Sequence, residues 1–177
     1  RLDAQRLPNK PLKIINNKEM ILHVYDVAIK SNAGEVYVAT PDQQIADIVK
    51  KSGGNVIKTS DNHETGTDRI FEVFKETLNS EPNIIINLQG DMPNLEPQAI
   101  SNLVSYMTKN KCDIGTLASD FNAKNEMSNP NVVKVAVKEK LSEDVFLNAF
   151  DFFRAKIKST YNLYHHIGIY AFTNKAL

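Results

Sequence analysis

The sequence has no tryptophan and a single cysteine, Cys112, among its 177 residues. One thiol cannot build an internal disulfide framework, which fits a reducing cytoplasm, and no Cys/His spacing resembles a zinc site. Nor is there an excess of either charge, since 21 Lys plus Arg meet 21 Asp plus Glu. That balance supplies no global field for nucleic acid, so any anion must be held locally. No apolar run approaches the roughly 18 residues a membrane-crossing helix requires. Repeats, low-complexity tracts and linkers are also missing. What remains, 42% hydrophobic and 24% charged, is ordinary for one globular domain spanning residues 1–177. Cys112 has no motif around it and reads as an inert core residue.

Periodicity supplies the architecture. Met20 to Lys30 places Ile21, Val24, Tyr25, Ala28 and Ile29 at helical spacing, and Ser31-Asn32-Ala33-Gly34 stops it. Val36 to Ala39 is β-rich; Pro41-Asp42 opens a helix with Ile45, Ile48 and Val49 on one face, closed by Gly53-Gly54. A strand over Asn55 to Lys58, a helix over Asp68 to Leu78, the apolar strand Ile84-Ile85-Ile86 and a helix from Pro97 to Asn110 follow. Beyond it, Asp113 to Ser119, Val132 to Lys138, Val145 to Phe150 and Tyr164 to Phe172 read as strands, with a short helix near Asn122 to Met127. Strand and helix alternate through the first two thirds, and the strand at Ile84 reads as buried on both faces. This predicts an α/β, Rossmann-like layered fold with a mainly parallel central sheet, extended into a mixed one by the strand-rich last third.

Three stretches carry chemistry. At the start of the chain Arg1, Arg6 and Lys10 fall beside Pro8, Asn9 and Pro11. The prolines exclude a helix and Asn tolerates left-handed backbone, so this segment reads as an ordered loop whose cations converge on a polyphosphate. A merely solvated basic terminus fits the charges equally well. After the strand at Ile84 comes Asn87-Leu88-Gln89-Gly90-Asp91-Met92-Pro93. Ligands sit at the carboxyl ends of strands in such sheets, and Asp91 is placed there to hold Mg²⁺, which takes one or two carboxylates and completes its shell with water and phosphate. Alternatively, Asp91 only caps the turn before the helix at Pro97. The third stretch, Asn62 to Arg69, precedes a helix that Thr65 or Thr67 could cap, and its amides suit an anion or a base edge.

The first stretch resembles the pattern R-x-x-S-T-R-L-P-G-K-P-L of sugar-activating nucleotidyltransferases, most closely the 3-deoxy-manno-octulosonate cytidylyltransferases (CMP-Kdo synthetases). Arg1, Arg6, Leu7, Pro8, Lys10, Pro11 and Leu12 match; Ala4 and Gln5 replace the Ser-Thr pair and Asn9 the glycine. Gln89, Gly90, Asp91 and Pro93 match the family's Q-G-D-x-P, with Met92 where glutamate is common. His63, Gly66, Thr67 and Arg69 match H-x-S-G-T-E-R, and Asn129-Pro130-Asn131-Val132-Val133-Lys134-Val135 resembles N-P-N-x-V-K-V. His166-Ile167-Gly168-Ile169-Tyr170 is similar to H-L-G-I-Y, and Phe152-Phe153-Arg154-Ala155 to F-S-R-A with Phe153 in place of serine.

The resemblance implies a nucleotide-diphospho-sugar transferase type of fold and transfer of CMP from CTP to Kdo, with release of pyrophosphate, for lipopolysaccharide biosynthesis. It implies Arg1, Arg6, Lys10 and Asp91 as catalytic residues, Asp91 as the Mg²⁺ ligand, and Arg1, Lys10, Thr65, Gly66, Arg69 and Gln89 as nucleotide contacts. Gln89, Arg154, His166 and Tyr170 would contact the sugar acid, and the full-length protein would be a homodimer that binds neither nucleic acid nor membrane. The family has an apolar strand before the residue matching Arg1 and a second metal-binding aspartate beyond the residue matching Leu177, so the chain reads as incomplete at both ends. A cytidylyltransferase for another sugar acid, such as a sialic acid, and a non-catalytic nucleotide-binding remnant are the alternatives. His23 and His165 belong to no motif and read as structural or surface residues.

Overall fold

The computed structural model describes residues 7–76, 82–123, 125–142, 145–155 and 160–177. Arg1 and Arg6 therefore lie outside the described residues. Asn9 adopts φ 56°, in the left-handed region, and starts a short 3-10 turn over Lys10–Leu12 with Pro11 in it. This is the conformation for which Asn substitutes for Gly. Two short strands follow, β1 (Ile14–Ile15) and β2 (Lys18–Glu19), paired antiparallel. Their turn residues Asn16 and Asn17 have φ 47° and 64°, the double left-handed geometry of a two-residue hairpin, where Asn is favoured.

Helix α1 spans Met20–Lys30, the periodic segment, and buries Ile21, Leu22 and Val24. Strand β3 (Val38–Thr40), helix α2 (Gln43–Lys51) and strand β4 (Val56–Lys58) form a β-α-β unit, with β3 and β4 parallel. Ile21, Leu22, Ile45 and Val49 make one core cluster between α1 and α2, with Val38 and Val56 packed against it. Helix α3 (Gly66–Glu76) and strand β5 (Ile84–Asn87) come next, then α4 (Pro97–Asn110).

The remaining strands are β6 (Ile114–Ser119), β7 (Lys134–Val137), β8 (Ala149–Phe153) and β9 (Asn162–Thr173). A 3-10 turn at Glu126–Ser128 stands where a short helix is predicted. β9 is the spine of this second sheet: it pairs with β5, β6 and β7, and β7 pairs in turn with β8. Every one of these pairings is antiparallel.

The mainly parallel sheet predicted from the sequence is thus corrected. Among the described residues parallel pairing is confined to β3 and β4. The physical reason is that strand–helix alternation ends at α4, and the twelve-residue β9 returns along β5 rather than crossing over it. The predicted two-sided burial of Ile84, Ile85 and Ile86 is also corrected. All three are half-buried and only Asn87 of β5 is fully buried.

One face of the larger sheet is closed by α4. Leu103 and Met107 pack with Ala171 of β9, and Ile84, Ile86, Cys112 and Leu117 join them. Cys112 is a partly buried free thiol at the edge of this cluster, close to its predicted place. Gly115 is required there, because a Cβ would stand 2.8 Å from both Leu103 Cδ1 and Met107 Sδ, nearer than side-chain carbons approach. Alternation along β9 then sends Tyr170 and Phe172 to the opposite face.

Candidate functional site

The carboxyl end of β5 is where the predicted residues meet. Asn87, 3% exposed, ends the apolar run and turns its amide toward the start of α3. Its Nδ2 donates to Thr67 Oγ1 at 3.3 Å, and its Oδ1 accepts from Gln89 Nε2 at 2.9 Å. Gln89 in turn lies over Gly66, where a Cβ would come within 3.0 Å of Nε2. Gly66 therefore leaves room for the Gln89 amide, which a methyl would push aside. Asn87 belongs to none of the matched motif positions; the signal for it in the sequence is a lone polar residue closing an isoleucine run.

Thr65 caps α3. Its backbone N–H and hydroxyl donate to Asp68 Oδ2 at 2.9 and 2.7 Å, and Asp68 N–H donates back to Thr65 Oγ1 at 3.1 Å. This is a reciprocal capping box. The hydrogen bonds from Thr65 hold the Asp68 carboxyl below its usual range. Of the two predicted uses of Thr65, capping and nucleotide contact, the geometry displays capping; Gly66 and Thr67 stand at the helix start beside Gln89.

Arg69 is 8% exposed. Its Nη1 donates to Thr59 Oγ1 and to the Ser60 carbonyl, the latter at 2.8 Å. Glu72 bonds His63 Nε2 and accepts from the Ser60 N–H at 3.1 Å, and the His63 contact draws the Glu72 carboxyl down from its ordinary value. Loop and helix are thereby stitched together before any ligand arrives, the preorganisation a binding site needs.

Lys10 and Asp91, 81 positions apart, form an ion pair at 2.6 Å, with side chains 35% and 45% exposed. Such an exposed pair contributes about 0–1 kcal/mol to stability, so its two charges are readily redirected to a ligand. Asp91 is a solvent-accessible carboxylate already holding a cation. Among the described residues no three His, Cys, Asp or Glu side chains come together. The exposed Asp91 carboxylate is a donor of the kind Mg²⁺ takes, the ion completing its shell with phosphate and water oxygens.

A space of about 840 Å³ lies between β3 and β5, and neither Lys10 nor Asp91 lines it. Thr65, Gly66, Arg69, Gln89 and Gly90 line its polar end, and residues such as Val38, Ile70 and Ile85 line its apolar length.

On the face of the sheet away from α4, Tyr170 stands opposite both Asn87 and Thr116. His166, 6% exposed, approaches Thr116 Oγ1 through Nε2 at 2.8 Å. The Thr116 hydroxyl has one proton, directed at the Ile169 carbonyl at 2.6 Å, so it accepts from His166. This fixes the Nε2–H tautomer and leaves Nδ1 as the acceptor. Burial, with the neighbouring His165 second, lowers the His166 pKa and keeps the ring neutral near pH 7. The ring lies 5.3 Å from that of Tyr170 and 5.1 Å from that of Phe152. Arg154 follows two residues after Phe152; its side chain is exposed and Nη1 donates to the Asn131 carbonyl at 3.3 Å. Thr116 went unnoticed in the sequence, since a threonine within a strand carries no signal of its own.

His165, read as structural, stacks 6.4 Å from Phe121 and faces Glu126 at 3.7 Å. His23 bonds the Ile15 carbonyl at 2.8 Å. Both serve local structure.

At the carboxyl end of β5 a capped helix start, one exposed carboxylate and one lysine stand near one another, an arrangement suited to the phosphates of a nucleotide. A model of the cytidylyltransferase family matches residues 1–177, and the chain belongs to that family. It is 38% identical to the 3-deoxy-manno-octulosonate cytidylyltransferase of Brucella ovis, over all of this chain and 71% of the relative. Against the Rhodopseudomonas palustris enzyme of the same name the identity is 41%, over all of this chain and 72% of the relative. The solved structure of CMP:2-keto-3-deoxy-manno-octonic acid synthetase complexed with CTP superimposes with TM-score 0.84 at 34% identity, covering 99% of this chain and 71% of that one. The Anaerococcus prevotii 4-diphosphocytidyl-2C-methyl-D-erythritol synthase, at TM-score 0.58 and 16% identity over 94% of this chain and 67% of its own, shares the fold. No helix among the described residues is long and apolar enough to cross a membrane.

Proposed function

We propose that this protein transfers CMP from CTP to the anomeric hydroxyl of 3-deoxy-manno-octulosonate, releasing pyrophosphate. The observation that carries this reading is the continuity of the site. The bonded row Thr67, Asn87, Gln89 adjoins the Lys10–Asp91 pair on one side and reaches the Tyr170, His166 and Phe152 rings on the other.

The reaction is an in-line substitution at the α-phosphorus, and positioning and charge stabilisation supply the rate. Lys10 brings a point charge to the departing pyrophosphate, with Arg1 and Arg6 assigned beside it by family resemblance. The start of α3 offers the amides of Gly66 and Thr67 to the nucleotide, and Gln89, held by Asn87, reaches between nucleotide and sugar. Arg69 acts from below, fixing the loop that the base lies against. Neutral His166 presents Nδ1 to a sugar hydroxyl, Tyr170 supplies a flat wall with a polar tip, and Arg154 pairs with the sugar carboxylate. Asp91 would hold Mg²⁺, which would neutralise phosphate charge. No side chain needs to become a covalent intermediate. Homodimeric assembly and a role in lipopolysaccharide biosynthesis belong to the same proposal.

The test follows pyrophosphate release by the full-length protein with Mg²⁺ and each of the four ribonucleoside triphosphates, with and without the sugar acid. Release that requires CTP and 3-deoxy-manno-octulosonate together is the expected result. Release with a different sugar acid alone would move the protein to a neighbouring activity.

A further inference from the structure

We propose that Lys134 is a positioning residue for the acceptor sugar, acting through Arg154; this rests on the functional reading above. Lys134 opens β7 and is 1% exposed, the most buried cation among the described residues. Its ammonium has three N–H groups, and each has an acceptor: the carbonyls of Asn129 at 2.6 Å, Val132 at 2.9 Å and Arg154 at 2.9 Å. Among the described residues no carboxylate neutralises it. Burying an ammonium is costly unless each proton finds a partner. A fold that only needed filling here would use leucine or methionine, so the charge implies that the three carbonyls have to be held together.

What those carbonyls join is specific. Asn129 and Val132 bracket the turn before β7, in which Val132 N–H donates to the Asn129 carbonyl at 3.1 Å and Asn131 N–H to Asn129 Oδ1 at 2.9 Å. Arg154 follows β8, and its own guanidinium donates to the Asn131 carbonyl of that same turn. Two cations thus grip one turn, Lys134 from within and Arg154 from the surface. Register places Lys134, Phe153 and His165 in one row, and Val135, Phe152 and Tyr164 in the next. Successive rows alternate faces, so Lys134 lies behind the sheet from Phe152 and His166 and cannot itself touch a ligand resting on those rings. It sets the backbone of Arg154, whose exposed side chain is tied to the same turn and which, on the functional reading above, pairs with the acceptor's anionic group. The acceptor is a carboxylate-bearing sugar, and an arginine displaced by as little as about 1 Å loses much of its value to such a group.

The experiment uses the full-length protein and its Lys134→Gln, Arg154→Gln and doubly substituted forms. KM for 3-deoxy-manno-octulosonate is measured at saturating CTP, and KM for CTP at saturating sugar acid. Either single substitution is expected to raise the sugar-acid KM by about tenfold, the effect of losing one charged contact. The CTP KM stays within about twofold, and the double variant is no worse than Arg154→Gln alone because both act through one contact. A merely structural lysine would move both constants together, and that result overturns the proposal, as does an unmoved sugar-acid KM. Should Lys134→Gln not accumulate as folded protein, Lys134→Met, of similar length and without the charge, takes its place: a rise confined to the sugar-acid KM supports the proposal, and an unchanged sugar-acid KM in it or in Arg154→Gln overturns it. A parent that releases no pyrophosphate with any sugar acid overturns the functional reading and this role with it. An active parent with unmoved constants in the variants overturns the role alone.

Discussion

Lys10 and Asp91 show how little a residue pair need contribute to folding to matter for chemistry. Their contact is short but exposed, so removing either charge leaves the protein folded. Lys10→Ala is predicted to lower turnover by about a hundredfold, the loss expected when a charge contact to a developing anion is removed; a melting curve recorded alongside should move by no more than about 2–4 °C. Gly66 gives a contrasting case. In Gly66→Ala the new methyl displaces the Gln89 amide, which stands 3.0 Å from the Cβ position, while alanine is the better helix former at the first turn. Stability is therefore expected to hold or rise while KM for CTP increases severalfold, and calorimetry with steady-state kinetics on one preparation reads both. His166 carries a pH signature. Its folded pKa is depressed by burial below the ordinary 6.5, so the unfolded chain binds the proton more readily. The stability this group contributes is complete above about pH 6.5 and is lost as pH falls toward its folded value. Urea midpoints between pH 7.5 and 5 should fall, and His166→Gln should flatten part of that slope.

Among the elements, α3 does most with least length. Its capping box, its buried Arg69 and its Gly66 start combine in eleven residues the closing of a loop, the tie to β4 and the surface facing Gln89. Thr65→Ala removes the cap and is expected to lower the melting temperature by about 2–4 °C, while Thr65→Ser, which keeps the hydroxyl, should restore it. The helices were the most legible elements. α1 and α4 lie where periodicity and the stop signals put them, because an amphipathic stripe repeats over several turns and averages out local exceptions. β8 was less so: Val145 to Phe150 reads as a strand, yet pairing begins at Ala149 and runs to Phe153. Its aromatic residues carry β propensity on both sides of the true boundary, and only pairing with β7 selects the register. Site residues divide in the same way. Asp91, on the loop after a strand, is singled out by position and Gln89 by the family motif alone, whereas Asn87, Thr116 and Lys134 are tied to partners 20 to 53 positions away.

At the scale of the molecule, β9 joins the two halves of the site. It runs beside β5, which carries Asn87, and beside β7, which meets the strand that ends before Arg154. A parallel sheet was predicted because the first two thirds of the chain alternate strand and helix. The sequence holds no local mark of a strand that will return antiparallel between two others, since strand order is decided by which apolar faces can be covered together. On the proposed function, that arrangement brings the nucleotide and sugar-acid residues to one face of the sheet. The most direct test is the product itself: full-length protein incubated with CTP, Mg²⁺ and 3-deoxy-manno-octulosonate, analysed by mass spectrometry and phosphorus resonance. The account predicts a sugar linked to CMP through its anomeric oxygen, formed in equal amount with pyrophosphate and sharply reduced in Lys10→Ala. CTP recovered unchanged, or CMP released without attachment to the sugar, would contradict it.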